Sequence, residues 1–151
     1  MDTYIKRGFG YGLLATLGMT LIMIAGTGLQ LSPMPEPIPI ALARWAFGAL
    51  PMPALVILGM LAHFFYGGLA GSILARLLKE QVNLWWGLGW GVLLWLGMEL
   101  VFLPLLGWGL FGSAITPKIA VATLVLHLIY GTILGWSLSW HSHKQEIVSM
   151  H

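Results

Sequence analysis

Residues 62–71 read AHFFYGGLAG and residues 126–135 read LHLIYGTILG. Laid on one another, they match His63 with His127, Tyr66 with Tyr130, Gly67 with Gly131 and Gly71 with Gly135. Both copies sit inside apolar runs exceeding the roughly 20 residues that a bilayer-crossing helix needs. A second match joins LGMTLIM at 17–23 to LGMELVF at 96–102, placing Thr20 on Glu99, and it extends to Gly28 on Gly107. The two matches differ in offset only by a longer first loop. The chain therefore reads as two tandem helical hairpins. Each hairpin returns to its starting side, so the halves are related by an axis along the membrane normal. The expected fold is all-α: an integral membrane four-helix bundle with pseudo-twofold symmetry.

Composition agrees. Of 151 residues, 58% are hydrophobic and 8% charged, with a mean hydropathy of +0.88, too few polar groups to coat a soluble globule. One transmembrane domain over 1–151 is expected. A net charge of +2 carried by seven basic residues leaves no basic stripe for nucleic acid. The absence of cysteine removes disulfides, thiolate metal sites and thiol nucleophiles. No Gly-rich phosphate loop, nucleophile elbow or paired carboxylates occur, so enzyme chemistry is not expected.

The spans are expected at about 8–30, 52–77, 84–110 and 119–140. The first follows Lys6 and Arg7 with no small-residue cleavage site, as a retained helix does. Lys6, Arg7, Arg76, Lys79 and Lys144 fall on one side, against Arg44 and Lys118 on the other, which places both termini in the cytoplasm. Trp85, Trp86, Trp136 and Trp140 mark the inner boundary, and Trp45 and Trp108 the outer one. Residues 31–51 form an extracytoplasmic segment. In it SPMPEPIP has prolines at 33, 35, 37 and 39, which forbid a continuing helix. A short interfacial helix follows, around 41–50. Met34 and Met52, held between prolines, either shape the loop or offer soft copper ligands. The tail 141–151, with His141, His143 and His151, reads as cytoplasmic and solvated, with loose metal binding as the alternative.

At 1.5 Å of rise per residue, His63 lies about 16 Å below the outer boundary, His127 about 13 Å, and Glu99 and Thr20 about 15 Å. All four reach the midplane, where an ionisable group is by default a functional candidate. His63, Gly67 and Gly71 share a helix face at four-residue spacing, as do His127, Gly131 and Gly135. Those glycines either let helices pack closely or clear space for a flat cofactor such as haem b with His63 and His127 as axial ligands. One helix pair cannot do both. Two imidazoles and the Glu99 carboxylate would also suit a divalent metal. The plainer reading is a hydrogen-bonded network of neutral imidazoles, supported by Tyr66 and Tyr130, with Glu99 a desolvated carboxyl bonded to Thr20 or a His.

ATLGMT at 15–20, AHFFYG at 62–67, PLLGWGLFG at 104–112 and LHLIYGTILG together resemble a family of small prokaryotic four-span membrane proteins of unknown function. The resemblance covers about residues 14–138 and is loosest in the proline-rich loop. It implies a four-span protein of the prokaryotic cytoplasmic membrane and transfers no activity. The expected function is thus an accessory subunit, or a binding or transport protein, using the midplane cluster of His63, Glu99, His127 and Thr20. The alternatives are a haem b electron-transfer subunit and a purely structural membrane anchor. The expected partners are the bilayer and either further copies of the chain or a larger membrane complex.

Overall fold

Asp2 sets the start of the first helix: its carboxylate accepts from the Tyr4 N–H at 3.1 Å, satisfying one of the donors that a helix N-terminus leaves free. Helix α1 therefore runs Thr3–Gly28, and Lys6 and Arg7 lie on its first turns rather than before it. The structure is a computed structural model describing the backbone of residues 2–149 and the side chains of residues 2–140. The proline-rich segment carries no regular structure until α2, Ile38–Phe47, which has Pro39 in its first turn, where a missing N–H costs nothing. Gly48, at φ 75°, ends it. Helix α2 begins and ends about three residues earlier than expected. It is more than a surface cap, since Ile38, Pro39, Ala41 and Ala43 are buried.

Helix α3 spans Met52–Leu78, followed by a 3-10 turn at Lys79–Gln81. Asn83 then accepts from the Trp86 N–H at 3.1 Å and caps α4, Leu84–Gly97. The third span departs from expectation. Pro104 has no N–H, and its ring crowds the carbonyl four residues back. Just before it the chain widens into a π-helical turn, Met98–Phe102, where the Leu103 N–H bonds the Met98 carbonyl. A last short turn, α5, covers Leu103–Leu105. Gly107 and Gly109, at φ 76° and 75°, then swing the chain away, so this span ends near 105 rather than 110. PLLGWGLFG is thus a tight loop needing glycine's left-handed backbone. Helix α6 runs Lys118–Ser149, so the expected tail is helical through residue 149. The side chains of His141, His143 and His151 lie outside the described residues.

Four segments are long and apolar enough to cross a membrane: Thr3–Gly28, Met52–Gln81, Leu84–Leu105 and Lys118–Trp140. Leu21, Leu61, Phe65 and Val121 point outward with well over half their surface exposed, an apolar exterior that water would not tolerate and lipid does. The protein is an all-α, multi-spanning integral membrane protein. Ion pairs sit at the span ends, Arg76 with Asp2 at 2.8 Å and Arg44 with Glu36 at 3.2 Å.

The helices pack as α1 with α3, α4 with α6, α1 with α6, and α2 with α3. Glycine sets the first two contacts. A Cβ on Gly8 or Gly12 would strike the carbonyls of Gly71 or Gly67, and one on Gly87 or Gly91 those of Gly131 or His127. Close packing is therefore the role of Gly67, Gly71, Gly131 and Gly135, against α1 and α4 rather than between the two histidine-bearing helices.

Candidate functional site

Two features occupy the interior, a polar knot and a cavity. The knot centres on Thr123 of α6. Its hydroxyl donates to Glu99 Oε1 at 2.6 Å and also lies 2.7 Å from the Ile119 carbonyl. The Trp95 indole donates to the Ala120 carbonyl at 3.1 Å and to Thr123 Oγ1 at 3.3 Å. The Ala120 carbonyl is a third acceptor for the Thr123 hydroxyl at 3.1 Å, and a hydroxyl with one proton serves only one of them at a time. Glu99 sits on the π turn and is fully buried. The widened turn carries its carboxyl against α6.

Thr123 also fixes His127. The ring Nδ1 lies 2.9 Å from the Thr123 carbonyl, which can only accept, so Nδ1 carries a proton, and in the neutral ring Nε2 is the acceptor. Tyr130, one turn further on, donates to the Gly67 carbonyl at 2.6 Å, joining α6 to α3. Tyr66 makes no equivalent bond. It is 42% exposed and packs edge-on against Phe102, with ring centroids 6.4 Å apart.

The expected cluster does not assemble. Thr20 is buried with its hydroxyl unpartnered, and Glu99 pairs with Thr123 instead. His63 Nε2 is likewise buried without a hydrogen-bond partner. Among the described residues, no three His, Asp or Glu side chains come together as a metal site. The reading of His63, Glu99 and His127 as metal ligands is overturned, and with it a function worked through a midplane His/Glu/Thr cluster. No haem-binding site is found among the described residues. His63 and His127 both line a cavity of about 380 Å³. An apolar cavity of ~150 Å³ holds one benzene, so this one has room for roughly two and a half such rings, short of the four pyrroles and substituents of a porphyrin. Met34, considered for copper, packs against the apolar cluster of Ile38, Met98, Leu103 and Ile119, and Met52 lies exposed at the start of α3.

Sequence reasoning missed Thr123 and Trp95. Thr123 is four residues before His127, and Trp95 four before Glu99, so each shares a helix face with a residue already singled out. The position matching Thr123 in the first hairpin is Gly59. A Cβ there would lie 2.5 Å from the Pro39 carbonyl of α2. Thr123 holds a carboxyl, while Gly59, set opposite it by the sequence match, admits a helix.

No curated protein and no solved structure matches the chain. The model of DUF6789, a family of unknown function, matches residues 2–149, nearly the whole length, and the chain belongs to that family.

Proposed function

We propose that the protein is a structural membrane anchor, acting without chemistry of its own, whose interior polar side chains tie helices together. The observation that carries this is where the side-chain bonds between helices end. Tyr130 reaches the Gly67 carbonyl from α6 to α3, Ser72 reaches the Ile5 carbonyl from α3 to α1 at 3.1 Å, and Trp95 reaches Ala120 from α4 to α6. Such bonds stabilise a bundle by about 0.6 kcal/mol each on average. They need neither metal nor cofactor.

The tandem-hairpin reading is supported by the glycine contacts. Gly8 meets Gly71 and Gly12 meets Gly67 in the first hairpin, while Gly87 meets Gly135 and Gly91 meets Gly131 in the second. These pairs fall on one another under the two matches found in the sequence. An anchor of this kind works beside further copies of itself or within a larger complex in a prokaryotic cytoplasmic membrane, with both termini inside.

The chain has no cysteine, so single substitutions Leu21→Cys, Leu61→Cys and Val121→Cys report on its neighbours directly. Oxidative cross-linking in native membranes is expected to trap one face, either with a second copy or with one recurring protein. If no position cross-links and the chain migrates as a monomer in mild detergent, the anchor reading is lost. A Soret band or a stoichiometric metal in the purified protein would also overturn it.

A further inference from the structure

The cavity follows from a break in the symmetry of the bundle. In a tandem arrangement, α3 and α4 would meet as α1 and α6 do. Among the described residues they are not one of the packed pairs. Helix α2 takes that side instead, with Gly59 of α3 admitting its backbone and Ile38 packing against Met98 and Leu103. A helix wedged between two others over part of their length leaves a gap beneath it. That gap is the 380 Å³ cavity, whose walls come from all four spans and α2.

Its walls are almost wholly apolar, with Met19, Leu42, Met98 and Leu126 among them. Trp45, Phe47, Tyr66 and Leu105 line it and are also more than one-third exposed, so they form its mouth. The mouth opens on the outer surface of spans that face lipid. Space for two and a half benzene-sized groups corresponds to roughly 15 carbons, and about 380 Å³ falls within the range of small-ligand pockets. One wall is not apolar. His63 Nε2 is buried there without a partner, and in a neutral His127 ring Nε2 is an acceptor. An unmade buried hydrogen bond is costly. A hydroxyl, which both donates and accepts, meets either nitrogen.

We propose that the space under α2, between α3 and α4, is a binding site for one long-chain alcohol drawn from the bilayer, its chain in the apolar cavity and its hydroxyl at His63. Neither Glu99 nor Thr20 takes part, and the site does not depend on the oligomeric state of the protein.

The full-length chain in phosphatidylcholine nanodiscs, photolysed with hexadecanol carrying a mid-chain diazirine and mapped by peptide mass spectrometry, tests this. The expected result is saturable labelling of Leu42, Ala46 and Met98, displaced by plain hexadecanol and at least about tenfold less well by hexadecane, since one hydrogen bond to a buried polar group is worth about that much. Ala62→Trp, which fills the cavity, is expected to lower that labelling by roughly tenfold while leaving labelling at Leu21 and Val121 unchanged. His63→Leu keeps the volume and is expected to erase the preference for hexadecanol over hexadecane, so the two variants report independently on chain and hydroxyl. Labelling confined to outward residues and linear in probe concentration would overturn the site. Equal displacement by hexadecane in the wild-type protein would overturn the alcohol as its ligand.

Discussion

Substituting Gly131 by alanine separates packing from helix propensity more cleanly than any other change in this chain. A Cβ at 131 would strike the Gly87 carbonyl oxygen and lie 3.0 Å from Gly87 C and 3.2 Å from Leu88 Cα. All three atoms are backbone, so no rotamer change relieves the contact. Carbon atoms pack comfortably at about 3.5–4.0 Å, and α4 and α6 must therefore separate by roughly 0.5 Å or more. A radial gap of that size forfeits about a quarter of each contact across the interface, and overpacking of this kind costs about 1–3 kcal/mol. Alanine also returns up to ~1 kcal/mol of helix propensity, which masks part of the loss. Gly89→Ala is the matched control, because Gly89 lies in the same helix pair and a Cβ there meets nothing within 4 Å. Reversible unfolding by steric trapping or SDS titration should rank Gly89→Ala at or above wild type and place Gly131→Ala about 1–3 kcal/mol below Gly89→Ala. Two variants within about 0.5 kcal/mol of each other, the spread of ordinary surface changes, would refute the glycine-tight interface.

Tyr130→Phe removes the bond to the Gly67 carbonyl and should cost about 0.6 kcal/mol, at most ~1.7, in the same unfolding assay; no loss would mean that α3 and α6 are not tied there. Thr123→Val strands the fully buried Glu99 carboxyl and should cost about 1–3 kcal/mol, and clearly less when Glu99→Leu is already present, a coupling that a double-mutant cycle reads directly. Glu99→Gln keeps an acceptor for Thr123 and should stay within about 1 kcal/mol of wild type; a collapse of stability would show that a carboxyl, not just an acceptor, is required. Gly59→Thr copies the second hairpin into the first and should drive α2 off α3, detected as faster proteolysis near residues 38–47; unchanged protection would show that α2 is held elsewhere.

Much of the fold was legible because lipid imposes a strong rule on sequence. A backbone with no water to bond must close its hydrogen bonds within a helix, so apolar length alone marked all four spans to within a few residues at most ends. The exceptions have local causes. Asp2 drew α1 toward the N-terminus by capping it, and Gly107 and Gly109 cut the third span short. The π turn at Met98–Phe102 is implied by Pro104 but not located by it, since a proline in a membrane helix can be absorbed in several ways.

The site was less legible because depth and repetition are one-dimensional. They placed His63, Thr20, Glu99 and His127 at one level without saying which way each side chain turned. What decided that was a residue of ordinary appearance. Thr123 holds Glu99 Oε1 through its hydroxyl and His127 Nδ1 through its carbonyl, while Glu99 Oε2 stays buried without a partner. The residue that the sequence match sets opposite Thr123 is Gly59, which has no hydroxyl to offer. Thr20 Oγ1 and His63 Nε2 are buried without partners, and the α2 backbone lies against Gly59 where a larger side chain would stand. Gly59 thus accounts for the entry of α2 into the bundle. Helix α2 packs on α3, and together with all four spans it walls the cavity that His63 lines.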